Sequence, residues 1–220
     1  LNAPKNIKNI YFKNIFFNYA ESDLNVLENF SCAIKGKMIN AIIGKSGSGK
    51  TTLMNMIPRL LEPKQGQVTI NDINIKSINI NEIRNSCSYI EQKPSFIRGT
   101  VVEHITYNNK KIDLIKAKEA AKLANAHNFI MKLPNSYSNQ LGESGVGLSG
   151  GQLQRLDITR GIASEKPIMI LDEPTSNLDD YNTKEILMTL KKINKIKKTT
   201  IIIVTHDKSV LKYCDNVIRI

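Results

Sequence analysis

Eight residues constrain this chain more than any others: Gly44-Lys45-Ser46-Gly47-Ser48-Gly49-Lys50-Thr51, preceded by the apolar run Met38-Ile39-Asn40-Ala41-Ile42-Ile43 and followed by Thr52-Leu53-Met54-Asn55-Met56. A G-x-x-x-x-G-K-[ST] stretch between a strand pattern and a helix pattern is the context in which a loop cradles phosphate. Its glycines and serines let the backbone curl until successive N–H groups face one anion at a helix start, where the helix dipole also favours negative charge. In such a loop Lys50 reaches the β- and γ-phosphates and the Thr51 hydroxyl ligates Mg²⁺. The bland alternative is a flexible Ser/Gly turn beside an exposed lysine, and the strand-before, helix-after placement argues against it.

The rest of the chain can house such a loop. At 220 residues it is long enough for one large domain or a domain with a substantial insertion, and 41% hydrophobic with 23% charged residues is ordinary for a soluble globular protein. Apolar runs such as Ile201-Ile202-Ile203-Val204 fall far short of the ~18 residues of a membrane span. No signal-peptide pattern opens the sequence, and a start at Leu1 suggests a segment of something longer. The net charge of +11 is spread over lysines scattered among asparagines and isoleucines, with short clusters at Lys110-Lys111 and in 191–198. That is better explained by a coding bias and a solvated helix face than by a nucleic-acid groove, so no nucleic-acid partner is expected. Cys32, Cys87 and Cys214 are far apart, with no C-x-x-C or His pairing. They are expected to be reduced and buried, neither a metal site nor a disulfide framework.

Along the chain, residues 7–19 are rich in β-branched and aromatic residues and predict a strand, with a turn over 20–23. Tyr19 ends it, either as a core aromatic or as part of a site. A second short strand is expected over 30–34, with Lys35-Gly36-Lys37 turning into the strand that feeds the phosphate loop. Pro58 marks a kink or stop after the loop helix, Pro63-Lys64-Gln65-Gly66 a turn, Gln67-Val68-Thr69-Ile70 a strand, and Cys87-Ser88-Tyr89-Ile90 another, ending in Glu91-Gln92-Lys93-Pro94. From Val101 the pattern becomes helical. Asp113 can cap a helix with Leu114, Ala117, Ala121 and Ala124 on one face, a further helix begins at Ala126, and 134–137 breaks it. Leu148-Ser149-Gly150-Gly151-Gln152 opens a helix toward Ser164, and the helix after Asp179 aligns Ile186, Leu190 and Ile193.

The apolar runs Pro167-Ile168-Met169-Ile170-Leu171 and 200–205 have the composition of buried parallel strands. Strands alternating with helices predict an α/β fold with a mainly parallel sheet covered on both faces, whose ligands collect at the C-terminal strand ends. Gly44, Asp172 and His206 all fall there. Side chains alternate along a strand, so Asp172 and Glu173 have different tasks. Asp172 can hold Mg²⁺ through water alongside Thr51, Glu173 can polarise a water for attack on the γ-phosphorus, and His206 can bond the γ-phosphate.

With these residues in view, the chain resembles the ATP-binding cassette proteins over essentially its whole length. The phosphate loop at 44–51, Gln92 as Q-loop glutamine, the signature Leu148-Ser149-Gly150-Gly151-Gln152, the acidic pair Asp172 and Glu173, the D-loop Ser176-Asn177-Leu178-Asp179 and the H-loop His206 stand in family order. The resemblance implies a P-loop NTPase core with an N-terminal antiparallel β subdomain and an inserted α-helical subdomain. These divide 1–220 into 1–37 mainly antiparallel β, 38–95 first part of the core, 96–164 helical with the signature, and 165–220 second part of the core. It implies ATP and Mg²⁺ as ligands, with Lys50, Glu173, His206 and Gln92 in catalysis and Thr51, Asp172 and Gln92 toward the metal. Tyr19 would stack on adenine, and Gly44, Lys45, Ser46, Gly47, Ser48, Gly49, Lys50, Thr51, Thr52, Gln92 and His206 would line the nucleotide. Ser149, Gly150 and Gly151 would close over the γ-phosphate held by a second cassette, and Gln152 and Asp179 would also bind nucleotide. It further implies a transmembrane partner domain, in the same chain, and a place at the cytoplasmic face of a membrane for a segment itself soluble. Gly142-Glu143-Ser144-Gly145 and Gly99-Thr100-Val101-Val102-Glu103-His104-Ile105 look like exporters of peptides, lipids or drugs, whereas Pro174, Asn177 and Asp207 look more like importers. Leu153 departs from the usual polar or basic residue after the signature. A soluble cassette acting on nucleic acid or ribosomes, supported by charge alone, is one alternative, and an ATP-binding module that dimerises but barely hydrolyses, opposed by the glutamate at 173, is another.

Overall fold

The computed structural model describes every residue except 21–23, 94–98, 108, 110, 143–146 and 177. The end of the turn at Asp23, Pro94, the exporter-like Glu143, Ser144 and Gly145, and the D-loop residue Asn177 therefore lie outside the described residues. In chain order the elements are β1 (Asn9–Phe17), β2 (Leu27–Lys35), β3 (Ile39–Ile43), α1 (Lys50–Met56), β4 (Gln65–Ile70), β5 (Ile73–Asn74), α2 (Ile80–Asn85) and β6 (Cys87–Ile90). There follow β7 (Gly99–Thr100), α3 (Val101–Thr106), α4 (Leu114–Leu123), α5 (His127–Met131), β8 (Gln140–Leu141), α6 (Gly150–Ala163), β9 (Ile168–Asp172), α7 (Asp180–Lys197), β10 (Thr200–Thr205) and β11 (Asn216–Arg219). They form two compact units. The first comprises Leu1–Tyr89, Lys166–Glu173 and Lys197–Ile220, the second Ile90–Glu165 and Pro174–Ile196.

The first unit is built on two sheets. One has the order β11-β3-β10-β9-β6, with β3, β9, β10 and β11 parallel. Every residue of β3 and β10 is buried, which is why both read as mainly apolar runs, Asn40 in β3 and the terminal threonines of β10 being the polar exceptions. The parallel register brings the C-terminal ends of β3, β10 and β9 to one edge, with Ile43 beside Thr205 and Asp172 beside Val204. The other sheet is antiparallel, with the order β2-β1-β4-β5. Ile10, Phe12, Ile15, Ile34 and Ile70 of this sheet, Leu53 and Met54 of α1, Ile83 of α2, and Ile42, Ile170 and Ile202 of the parallel sheet form one buried cluster. Each such side chain contributes roughly 1.5–3 kcal/mol on leaving water.

The turn expected at 63–66 is shorter than that, because β4 already begins at Gln65. Gly66 is a strand residue with φ +87°, opposite the register shift between Lys13 and Phe16 of β1. A Cβ there would stand 2.3 Å from the Asn14 carbonyl oxygen and 2.4 Å from that of Lys13. Here the glycine serves a bulge, and a side chain must displace backbone to fit. Gly66→Ala is expected to cost about 2 to 4 kcal/mol, combining left-handed strain with overpacking. Denaturant unfolding measures it, and a midpoint equal to wild type would rule out this reading of Gly66.

The second unit is mainly helical, with β7 and β8 forming a small antiparallel pair. Thr100 and Glu103 make a reciprocal capping box at the start of α3, and the Asp113 side chain accepts the Lys116 N–H to cap α4, as expected. α4 packs on α6 through the small buried residues Ala117, Ala120 and Ala121. Leu114, placed by periodicity on the same face, is instead 45% exposed. It sits in the first turn, beyond the stretch where alanines allow close approach. α7 buries Ile186, Leu187, Leu190 and Ile193. The three cysteines form no disulfide among the described residues; only Cys87 is buried, and Cys32 and Cys214 are half-buried at strand and loop edges. Burial pushes the Cys32 thiol up to about 12 and the Cys87 thiol to about 11, which disfavours the thiolate at both.

Candidate nucleotide site

The loop between β3 and α1 has the conformation its glycines permit. Gly47 and Gly49 take φ +78° and +92°, and Gly49 stands at the N-cap of α1. Gly44 is constrained by space instead, since a Cβ would lie 2.5 Å from the Ile220 carbonyl oxygen at the end of the chain. Lys45, Ser46 and Gly47 are exposed, so the outer side of the loop is open to a ligand. Lys50 is only 7% exposed, and its ammonium donates to the carbonyls of Gly44 at 3.0 Å and Lys45 at 2.7 Å. Two of its three donors hold the loop and the third remains for an anion. The Ser48 hydroxyl is buried with no hydrogen-bond partner among the described residues, a polar atom inside the turn of a phosphate-type loop.

At the neighbouring strand ends the acidic pair divides its tasks. Thr51 Oγ1 donates to Asp172 Oδ2 at 2.8 Å, so the hydroxyl and the carboxylate converge on one point, a donor set of hard oxygens that suits Mg²⁺. Glu173 lies one residue past β9 with φ +47°, an unusual torsion for a residue with a side chain, and its N–H is fixed by the Val204 carbonyl at 2.9 Å. That turn separates its carboxylate from Asp172. Oε1 accepts from His206 Nδ1 at 2.8 Å, and Oε2 accepts from the Thr205 hydroxyl at 3.4 Å. His206 itself is largely exposed. Donation from Nε2 to a phosphate as well would require the imidazolium form.

Tyr19 resolves its two readings toward the surface. Its ring is 47% exposed, packs edge-on against Phe17 with centroids 5.0 Å apart, and its hydroxyl shares a 2.9 Å hydrogen bond with Oγ1 of Thr52, which is itself buried. An aromatic face held by its edge and its hydroxyl, beside the first turn of the phosphate-loop helix, has the shape to receive a planar base. Tyr19→Ala is expected to cost about 1–3 kcal/mol of ATP affinity, and Tyr19→Phe much less. Calorimetry with ATP and with inorganic triphosphate checks it, because an equal loss for both ligands would make Tyr19 a packing residue only.

The remaining predicted residues belong to the second unit. Ser149 is the N-cap of α6: its Oγ accepts from the Gln152 N–H at 3.3 Å and Gln152 Oε1 accepts from the Ser149 N–H at 2.9 Å. The side chain of Gln152 is thus committed to its own helix. A Cβ on Gly151 would press to 2.8 Å on Asn182 Oδ1, whereas one on Gly150 would meet only Leu178 at 3.7 Å. Asp179 accepts from the Asn182 N–H at 2.7 Å and from its Nδ2 at 2.8 Å. The backbone N–H and then the side-chain amide of Asn182 hold the Asp179 carboxyl below its usual range. Asn182 Oδ1 in turn accepts from Arg155 of α6 at 3.2 Å. Asn182 and Arg155 were not anticipated, and the spacing of Asn182 three residues after Asp179 was the available cue. Gln92 Nε2 donates to Ser176 Oγ at 3.4 Å, joining the Q-loop and D-loop positions.

A family model described as ABC transporter matches residues 27–176. The chain is 36% identical over 99% of its length to the ATP-dependent lipid A-core flippase of Saccharophagus degradans, covering 36% of that protein. It is 37% identical over 95% of its length to ABC transporter B family member 2 of Dictyostelium discoideum, covering 15% of it. In structure it matches a bacterial Atm1-family ABC exporter with ATP bound, with a TM-score of 0.91 and 28% identity, over 100% of this chain and 38% of that one. The chain therefore spans well under two thirds of the length of these proteins. With a family model matched over most of its length, and with a phosphate loop, an acidic pair and a capped signature helix in its structure, the chain belongs to the ABC transporter family.

Proposed function

We propose that the chain is the ATP-binding and ATP-hydrolysing domain of an exporter that moves a peptide, lipid or drug-like cargo across a membrane. The observation that carries this reading is the gathering of Lys50, Thr51, Asp172, Glu173 and His206 at one edge of the parallel sheet, each held by hydrogen bonds that suit its task. Residues 1–220 act as one cassette. Tyr19 stacks on adenine, the N–H groups of 44–52 and the Lys50 ammonium bind the phosphates, and Glu173, oriented by His206 and Thr205, takes the proton of the attacking water. Thr51 and Asp172 would hold magnesium, which would neutralise charge on the phosphate oxygens.

Ser149, Gly150 and Gly151 present a second helix start, 14 residues of helix behind it, without a phosphate loop of its own. Two copies would close with each signature end and Asp179 over the nucleotide of the other. Among the described residues no helix is long and apolar enough to cross a membrane. The crossing therefore belongs to a membrane domain, which we place in the same polypeptide, with this domain at the cytoplasmic face. Similarity to an Atm1-family exporter and to a flippase favours export over the import suggested by Pro174 and Asp207. Phosphate release from MgATP tests the reading: the rate per chain is expected to rise with chain concentration and to vanish when magnesium is chelated. No release at any concentration would refute ATP hydrolysis, and a concentration-independent rate would refute the two-copy site.

A further inference from the structure

The signature helix α6 carries a carboxylate in its core face. Asp157 lies on the buried stripe with Gln154, Ile158 and Gly161 and is 0% exposed. A buried charge is costly unless it is paired. Asp157 Oδ1 receives two partners: His104 Nε2 of α3 at 3.1 Å, itself 0% exposed, and Arg160 Nη2 of α6 at 2.9 Å. The Arg160 guanidinium in turn lies over the ring of Tyr107, 5.9 Å from its centroid. Tyr107 is the C-cap of α3, held at φ +46°. His104 and Tyr107 are three residues apart on α3, as are Asp157 and Arg160 on α6. The contacts run from His104 through Asp157 and Arg160 to Tyr107, linking the two helices at two successive turns.

We propose that this cluster is a clamp that sets the rotation and register of α6 against α3, and that His104 and Asp157 are positioning residues for ATP hydrolysis. The inference rests on the reading that the start of α6 meets the nucleotide of a second copy. Apolar packing between two helices is non-directional and tolerates small rotation and sliding. A buried carboxylate bonded to a ring nitrogen on one helix and a guanidinium on the other does not. Such a pair is a poor investment in stability, since well-packed apolar residues often serve as well or better, so its use in orientation is the stronger account. From Asp157 to Gly150 is about 10 Å along the helix, close enough for a shift at the clamp to displace Ser149. A misplacement of about 1 Å can cost on the order of 10²-fold in rate.

The test compares three variants of the chain by steady-state ATP hydrolysis, ATP affinity in calorimetry and thermal melting. The double variant His104→Leu/Asp157→Leu replaces the pair with apolar side chains. It is expected to fold and to bind ATP with affinity within about twofold, while kcat falls roughly tenfold or more. His104→Leu alone is expected to lose turnover in the same way. His104→Gln, which keeps an N–H near the Nε2 position, is expected to stay within about threefold of wild type. Wild-type kcat in the folded double variant overturns the clamp. If the double variant does not fold, equal turnover of His104→Leu and His104→Gln overturns it instead. A wild-type chain that hydrolyses no ATP overturns the functional reading on which the clamp stands, a result told apart by the wild-type assay alone.

Discussion

Glu173→Gln is expected to bind MgATP as tightly as wild type while its ATP turnover falls by on the order of 10² to 10⁴. The geometry makes the substitution unusually clean. The glutamine carbonyl can accept the His206 Nδ1–H at the place where Oε1 now lies 2.8 Å from it, and the backbone torsion at +47° is no harder for glutamine than for glutamate. What is lost is the capacity to take a proton from water. That residue 173 adopts a torsion costing roughly 1–3 kcal/mol for a side chain, just past a strand buried from Ile168 to Leu171, is itself a sign of a site where aim matters more than stability. If ATP joins two copies, slow hydrolysis leaves the joined state populated, because a ligand that binds the associated form stabilises it by mass action. Sizing chromatography with MgATP is therefore expected to find the variant as a dimer and wild type mainly as a monomer. Turnover at the wild-type rate would remove Glu173 as the base, and a variant that stays monomeric at high concentration would remove the two-copy sandwich.

How far these features could be read in advance depended on whether their cause was local. The phosphate loop was legible because its glycines, lysine and threonine act on one another within eight residues, and β3, β9 and β10 because two buried faces favour a mainly apolar run. Ser149, Asp113 and Asp179 were legible as helix starts for the same reason. Where the cause lies in another segment the pattern is silent or misleading. Gly66 looked like turn punctuation, but the carbonyls of Lys13 and Asn14 some fifty residues away decide its role. β2 was expected over 30–34, whereas pairing with the bulged β1 extends it to Leu27–Lys35. α2 and β11, short and half polar, carry too few residues for a period to emerge and exist because the sheets and the core cluster hold them. The torsion of Glu173 and the bond between His104 and Asp157, 53 residues apart, are properties of the fold alone. An aspartate in the middle of a helix face that is otherwise free of charge was the one trace of the latter in the chain.

Lys50→Ala is expected to weaken MgATP binding by about 2–5 kcal/mol, roughly thirtyfold to several thousandfold. Two losses combine. The phosphate loses a cation whose stem is buried and therefore pre-placed, in a loop where the N–H groups alone must then offset the charge. The carbonyls of Gly44 and Lys45 lose the donor that now spans them at 3.0 and 2.7 Å, which frees the loop to open. The two contributions respond differently to the ligand. A lysine that reaches the β- and γ-phosphates through its third N–H discriminates by phosphate count, so the loss should be greatest for ATP, smaller for ADP and near zero for AMP. A lysine that only braces the loop would cost every nucleotide alike. Calorimetric titration of Lys50→Ala with the three nucleotides separates them: a graded loss places the ammonium on the terminal phosphates, an even loss reduces Lys50 to a brace, and unchanged ATP affinity removes it from the site.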